Sequence, residues 1–243
     1  MKSFKTLIFV VLVLVLFPAC VKETQVQLPK VPVAELAALT NHSQAYIFYD
    51  INQKDSILLN RKNLIMNTNW VIHVDARLIL KKIMPKLQLL YQKRNKKSIH
   101  TKKGMKNYFS VMDVNKKQLG FIDYSVFKFK HPKEHAKFFI KKSPDFHIDK
   151  HNVIINFDRD NKITVNGNDV DRDELTGFLK EEIDFVSEGR KTLIYLNFDE
   201  QLTFEKYLNN YLTVSKLVND TIKIAEQQFI YNYDELPDCN CKL

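Results

Sequence analysis

The sequence predicts an α+β fold, small sheets with helices packed on one face, and three observations carry that expectation. Runs with strand texture sit beside short polar turns, as in AYIFYDI-NQKD-SILLN and DRDN-KITVNG. Two longer segments space their apolar residues for one helical face each. Of 243 residues 45% are hydrophobic, with only five glycines and seven prolines. That is apolar material for a real core and too little Gly and Pro for low complexity.

The elements follow in chain order. MKSFK is a short basic start, and LIFVVLVLVLF (7–17) is an apolar run. It is shorter than the roughly 20 residues that span a bilayer. PAC follows, with Ala19 before Cys20. This is the layout of a secretory signal peptide. A small residue before a cysteine resembles a bacterial lipobox, although Phe17 and Pro18 depart from its commonest residues. Residues 1–20 are therefore expected to be a signal peptide, with Cys20 lipidated as the mature N-terminus. The chain would then be lipid-anchored to a membrane of the cell envelope, facing the periplasm or the cell surface. An uncleaved signal anchor is the alternative. More than one acyl chain would anchor stably, which a single chain does not.

Residues 21–40 read as a tether ending in a short helix, VAELAALT. Residues 41–130 read as an N-terminal α+β domain. It opens with the NQKD hairpin and the extended run NWVIHV. An amphipathic helix over 76–94 follows, in which Pro85 predicts a kink or break near Met84. A second hairpin has its tip at Lys116 and Lys117. Residues 131–150 read as a polar linker.

Residues 151–236 read β-β-α-β-α. NVIINF is a strand, DRDN a turn, and KITVNG a strand ending in the Asn-Gly turn pair. Asp171 is expected to cap a helix, with Glu174 completing a capping box. TLIYLNF is a third strand. Residues 203–229 are expected to form one long amphipathic helix capped by Thr203, with FIYNYDEL as a final extended piece. Both helices would lie on one face of the sheet. The other face would need a partner, a second copy or the N-terminal half. Residues 237–243 read as a tail holding Cys239 and Cys241. FYDINQKDSILLN with a helix after Asp75 echoes NFDRDNKITVN with a helix after Asp171. Two similar hairpins are the preferred reading, with a duplication as the alternative.

KITVNG (162–167), VDRDELTGFL (170–179) and TLIYLNFDEQLTFEKYLNNYLTVSKLV (192–218), with FIYNYDEL (229–236) as tail, together resemble the periplasmic domain of the ExbD/TolR family. The match spans about residues 150–236. Asp199 stands at the strand end, followed by Thr203 and Tyr207, as in the family pattern. The resemblance implies an accessory subunit of proton-motive-force-driven envelope machinery. Its implied roles are dimerisation, contact with envelope proteins and, in some members, contact with peptidoglycan. The family's transmembrane carboxylate is missing, because residues 7–17 contain no Asp, Glu, His or Lys. The expectation is thus a non-enzymatic interaction subunit for biopolymer transport, without the proton-carrying half.

Two further patterns stand beside it. HPKEH and FHIDKH place His131 and His135, then His147 and His151, four apart. On helices such pairs could ligate zinc. Pro132 and the polar context favour solvated linker histidines, so no metal is expected. YQKRNKKSIHTKKGMK (91–106) concentrates cations within a chain of net charge +9. Lys93, Arg94, Lys96, Lys97, Lys102 and Lys103 could meet an anionic glycan or lipid, the alternative function. No cofactor motif is present, and nucleic acid is not expected to meet an exported chain.

Overall fold

The computed structural model describes residues 25–96 and 104–237. Among these residues two six-stranded, mostly parallel sheets and five helices form a mixed α/β architecture. The signal segment with Cys20, Lys97, Lys102, Lys103, and the tail cysteines 239 and 241 lie outside the described residues.

The first sheet contains β1 (Lys30–Val31), β2 (His42–Tyr49), β3 (Ile57–Asn60), β4 (Asn69–Val74), β5 (Asn107–Asp113) and β6 (Gln118–Asp123). Its order is β3-β2-β4-β5-β6, with β1 alongside the far end of β5. The two expected hairpins are β2–β3 and β5–β6. Helix α1 (Leu80–Asn95) joins β4 to β5 and runs through Pro85 without a break. Leu80, Ile83, Met84, Leu87 and Leu90 are buried along one face and hold both turns beside the proline against the core.

VAELAALT is not a helix. Its chain is irregular, with bends at Glu35 and Ala37, and Leu36 forms an isolated antiparallel bridge with Phe121. Asp113 Oδ2 accepts from the Ala34 N–H at 2.9 Å. A Cβ at Gly120 would lie 2.2 Å from that of Ala34, so only glycine lets this segment lie so close. Helix propensity yields here to contacts with β5 and β6.

The second sheet runs β10-β9-β8-β11-β12-β7. These strands are β7 (Lys128–Lys130), β8 (His151–Phe157), β9 (Ile163–Val165), β10 (Asn168–Val170), β11 (Thr192–Asp199) and β12 (Ile222–Tyr231). Asn166 and Gly167 turn β9 into β10 with φ of 49° and 89°, as the Asn-Gly pair predicts. Helices α2 (Ala136–Lys142), α3 (Pro144–His147), α4 (Leu175–Val186) and α5 (Phe204–Ser215) complete the set.

Three expectations need correction here. The helix expected over 203–229 ends at Ser215, and the rest of that stretch belongs mostly to β12. The cause is local: Asn219 Oδ1 accepts from the Thr221 and Ile222 N–H groups and turns the chain. The capping box at Asp171 does not form. Helix α4 starts at Leu175 with no side-chain cap, and the Asp171 carbonyl closes a turn onto the Glu174 N–H instead. Thr203 does cap α5, accepting from the Lys206 N–H at 3.4 Å.

The third correction is the linker. Residues 131–150 carry α2 and α3, which cover the outer face of the second sheet. Ala136, Phe139 and Ile140 pack on Tyr195, Ala225 and Phe229. The face left open to a partner is closed by the protein itself. Sheet membership also changes before residue 130, since β7 pairs with β12.

The two sheets repeat one connectivity. In each, an antiparallel hairpin (β2–β3, β8–β9) is followed by a strand parallel to its first arm (β4, β11). A helix (α1, α5) then leads to a further parallel strand (β5, β12). The second sheet has β10 and α4 where the first has a loop. The echo in the sequence therefore has a counterpart in topology. Its helix partner is the one after Asp199, not the one after Asp171. One continuous apolar cluster spans both halves. Phe109 of β5 meets Phe204 of α5 edge-on at 5.0 Å, and Phe127 meets Tyr211 at 4.8 Å.

Candidate functional site

The strongest functional geometry lies where the two halves meet. Both β4 and β11 run into the same four-residue pattern, Asp75-Ala-Arg-Leu78 directly after β4 and Asp199-Glu-Gln-Leu202 from the last residue of β11. In each, the Asp carbonyl accepts from the Leu N–H at 3.1 Å. In each, Asp Oδ1 also accepts from the N–H two residues on, of Arg77 at 3.1 Å and of Gln201 at 2.8 Å. These turns deliver α1 and α5 to one another. Ile79 and Thr203 form an antiparallel bridge. The bonds around it are reciprocal. Leu80 N–H donates to the Leu202 carbonyl and Phe204 N–H to that of Leu78. Lys81 N–H donates to the Glu200 carbonyl and Glu205 N–H to that of Ala76. The junction is an approximate two-fold contact between equivalent residues of one chain.

Its charges are not symmetric. The Asp75 carboxyl sits below its usual range. Burial opposes the charge, but the Arg77 fork at 2.7 and 2.8 Å and backbone N–H donors outweigh it. At the equivalent place Asp199 faces Gln201, and its nearest cation, Arg159, is 4.0 Å away. Burial therefore pushes the Asp199 carboxyl up. Glu200 is buried and accepts from Lys81 Nζ at 2.7 Å, with His131 Nε2 at 2.9 Å from its other oxygen. The arrangement ties the first turn of α1 to the segment entering α2. It locks two halves together and offers no nucleophile beside a base.

The four candidate histidines do not converge. His131 meets Glu200, and His135 Nε2 meets Asn156 Oδ1 at 3.1 Å. His147 Nδ1 meets Asn152 Oδ1 at 3.1 Å, and His151 Nδ1 meets the Thr192 hydroxyl at 3.3 Å. His135, His147 and His151 are buried, which corrects the solvated-linker reading. His135 caps α2, His147 lies in α3 and His151 in β8, and each makes its hydrogen bonds to a different partner, while His147 Nε2 has none. Among the described residues no three of His, Cys, Asp and Glu come together as a metal site.

The basic segment divides. Arg94 is structural: its guanidinium lies 3.9 Å over the Trp70 ring. It donates to Asn107 Oδ1 and to the carbonyls of Met66, Thr68 and Lys106. Burial pulls its pKa down to about 10. Lys93 Nζ lies 5.9 Å from the same ring. Lys96 is exposed.

Sequence reading missed the junction, although the repeated Asp-x-x-Leu at the ends of two strands was a visible signal. No helix among the described residues is long and apolar enough to cross a membrane. No family model matches the chain, and no match was found among curated proteins or solved structures.

Proposed function

We propose that this chain is a non-enzymatic, lipid-anchored interaction subunit of the cell envelope, resembling the periplasmic module of the ExbD/TolR family. In this reading it serves transport or envelope machinery without supplying a proton-carrying helix. One observation carries the reading: the reciprocal contact of Ile79 with Thr203 and the four bonds around it. The resemblance implies a module that dimerises. Here two units of like connectivity already meet through equivalent residues, so one chain offers what a pair of modules would. The expected partner is then a different envelope protein and not a second copy.

Crosslinking in intact cells followed by capture of the full chain tests this. The expected product joins one copy of this chain to an envelope protein. Recovery of the chain alone, or only crosslinked to itself, would sink the proposal. Intact mass of the membrane-extracted protein, wild type beside Cys20→Ala, tests the anchor. A diacylglyceryl mass on Cys20 with residues 1–19 lost is expected. An unmodified Met1 start would return residues 7–17 to the bilayer.

A further inference from the structure

Helices α2 and α3 are the outer layer over the second sheet, so what they expose faces away from the core. Helix α2 turns Ala136, Phe139 and Ile140 onto the sheet. The chain then breaks at Ser143 and Pro144 into α3, a single turn reading PDFH. His147 is the buried residue of that turn. Phe146 is 57% exposed, and Ile148 at the end of the turn is 80% exposed. Phe146 also lines a pocket of about 610 Å³ together with Phe139, Leu193 and Tyr195. The exposed ring thus continues an apolar surface that reaches down to the sheet. A single apolar side chain in water needs no explanation, but two beside an apolar hollow form a patch.

The charges around this patch are mostly positive. Lys141 and Lys142 are exposed at the end of α2, directly before the turn. Lys223 is exposed on β12 in register with Leu193, which belongs to the cluster under α2. Register partners share a face, so Lys223 lies on the same side of the sheet. Lys150 Nζ lies 4.2 Å from the centroid of the Phe146 ring and 2.7 Å from Asp149. Glu226 is held by Lys128 at 2.7 Å. Asp145, exposed at the start of α3, is the acidic exception. Aromatic and aliphatic side chains that reach an acyl layer, with lysines at the level of the headgroups, make an interfacial contact with anionic lipid. A second exposed phenylalanine, Phe185 at 88%, sits instead near Glu181, Asp184 and Glu188 in the chain.

We infer that Phe146 and Ile148 insert into the surface of an anionic bilayer, with Lys141, Lys142 and Lys223 at the level of its phosphates. The contact lays the outer face of the second sheet against the membrane. It uses none of the residues of the proposed anchor and does not rest on it.

The test puts a fluorophore in the patch. Phe146→Trp in the full chain is mixed with vesicles of phosphatidylglycerol or of phosphatidylcholine, each made with and without brominated acyl chains, which quench a tryptophan that touches them. The wild type supplies the background of buried Trp70. Phe146→Trp is expected to lose emission in brominated phosphatidylglycerol and to keep most of it in brominated phosphatidylcholine. Adding Lys141→Glu and Lys142→Glu should abolish the quenching, with an unchanged urea midpoint showing that the fold is kept. Phe185→Trp, more exposed but among acids, should stay unquenched in both lipids. An unmodified Cys20 would sink the anchor and leave these expectations in place. Quenching that is absent, equal in the two lipids, matched by Phe185→Trp or untouched by the charge reversal would overturn the inference. So would a blue shift of Phe146→Trp emission with rising protein concentration in the absence of lipid, which would give the patch to a second copy.

Discussion

Arg94 shows how one residue can change meaning between sequence and structure. In the sequence it belongs to a run of cations that suggests an anionic surface. In the structure it spans β4, β5 and the loop before β4, stacked on Trp70 and bonded to four acceptors. Arg94→Ala would leave those acceptors unmet and unstack the ring. A loss of roughly 3 kcal/mol is expected, read as a lower urea midpoint with an unchanged slope. Lys96→Ala, at an exposed position, should leave the midpoint in place. If Arg94→Ala unfolds at the wild-type midpoint, the residue is free for a surface role after all. Nothing in the local residue pattern distinguishes Arg94 from its neighbours, because the partners that fix it come from elsewhere in the chain.

At the scale of elements, helix α2 is the piece that closes the second sheet, and His135 begins it. His135 Nδ1 accepts from the Lys137 N–H as the cap, while Nε2 faces Asn156 Oδ1. The adjoining Ala136 N–H donates to Asn197 Oδ1 at 2.8 Å. Burial lowers the His135 pKa to about 4, against a weaker opposing pull from Asn156. The folded state thus binds this proton less readily than the unfolded chain does. The stabilisation is present above pH 6.5 and is lost as pH falls towards 4. Between pH 7 and 5 the cost is about 2 kcal/mol for such a shift. His73, half-buried beside Ser110 and lowered to about 4 mainly by desolvation, should add a comparable slope. His135→Asn keeps a capping side chain and should reduce the pH dependence of the urea midpoint between pH 7 and 5. An unchanged dependence would show that His135 carries no such linkage.

The same element shows how much of the fold was legible. Hairpins were readable because turn residues and alternating strands are local signals; Asn166-Gly167 is the clearest case. The end of α5 was not, because Phe204 to Ile224 keeps a helical rhythm across the Asn219 turn. Helix α2 was hidden by the polar residues on its exposed side, with only Ala136, Phe139 and Ile140 marking the buried one. The junction left a trace in the repeated Asp-x-x-Leu. Its meaning depends on contacts more than a hundred residues apart, which no window along the chain reports.

At the scale of the molecule, the apolar cluster does not stop at the boundary between the sheets. It runs from Trp70 and α1 to Ile194 and α5 without interruption. Neither half closes its core alone, so one cooperative transition is expected. Trp70 is the only tryptophan and belongs to the first half, so its fluorescence reports that half alone. Far-UV circular dichroism reports both. The two urea transitions should superimpose; separate midpoints would mean that the halves unfold independently.

The fused junction also frees the chain from a rule that binds symmetric pairs. In an assembly of identical copies every substitution occurs twice, so neither side can specialise alone. Here Arg77 neutralises one aspartate while the other faces Gln201 and has Arg159 only at 4.0 Å, and Lys81 stands opposite in sign to its counterpart Glu205. One outer face carries the α2–α3 cover, while the corresponding face of the first sheet carries the stacked Tyr46 and His73. Each half can diverge towards its own task without breaking the contact that both share.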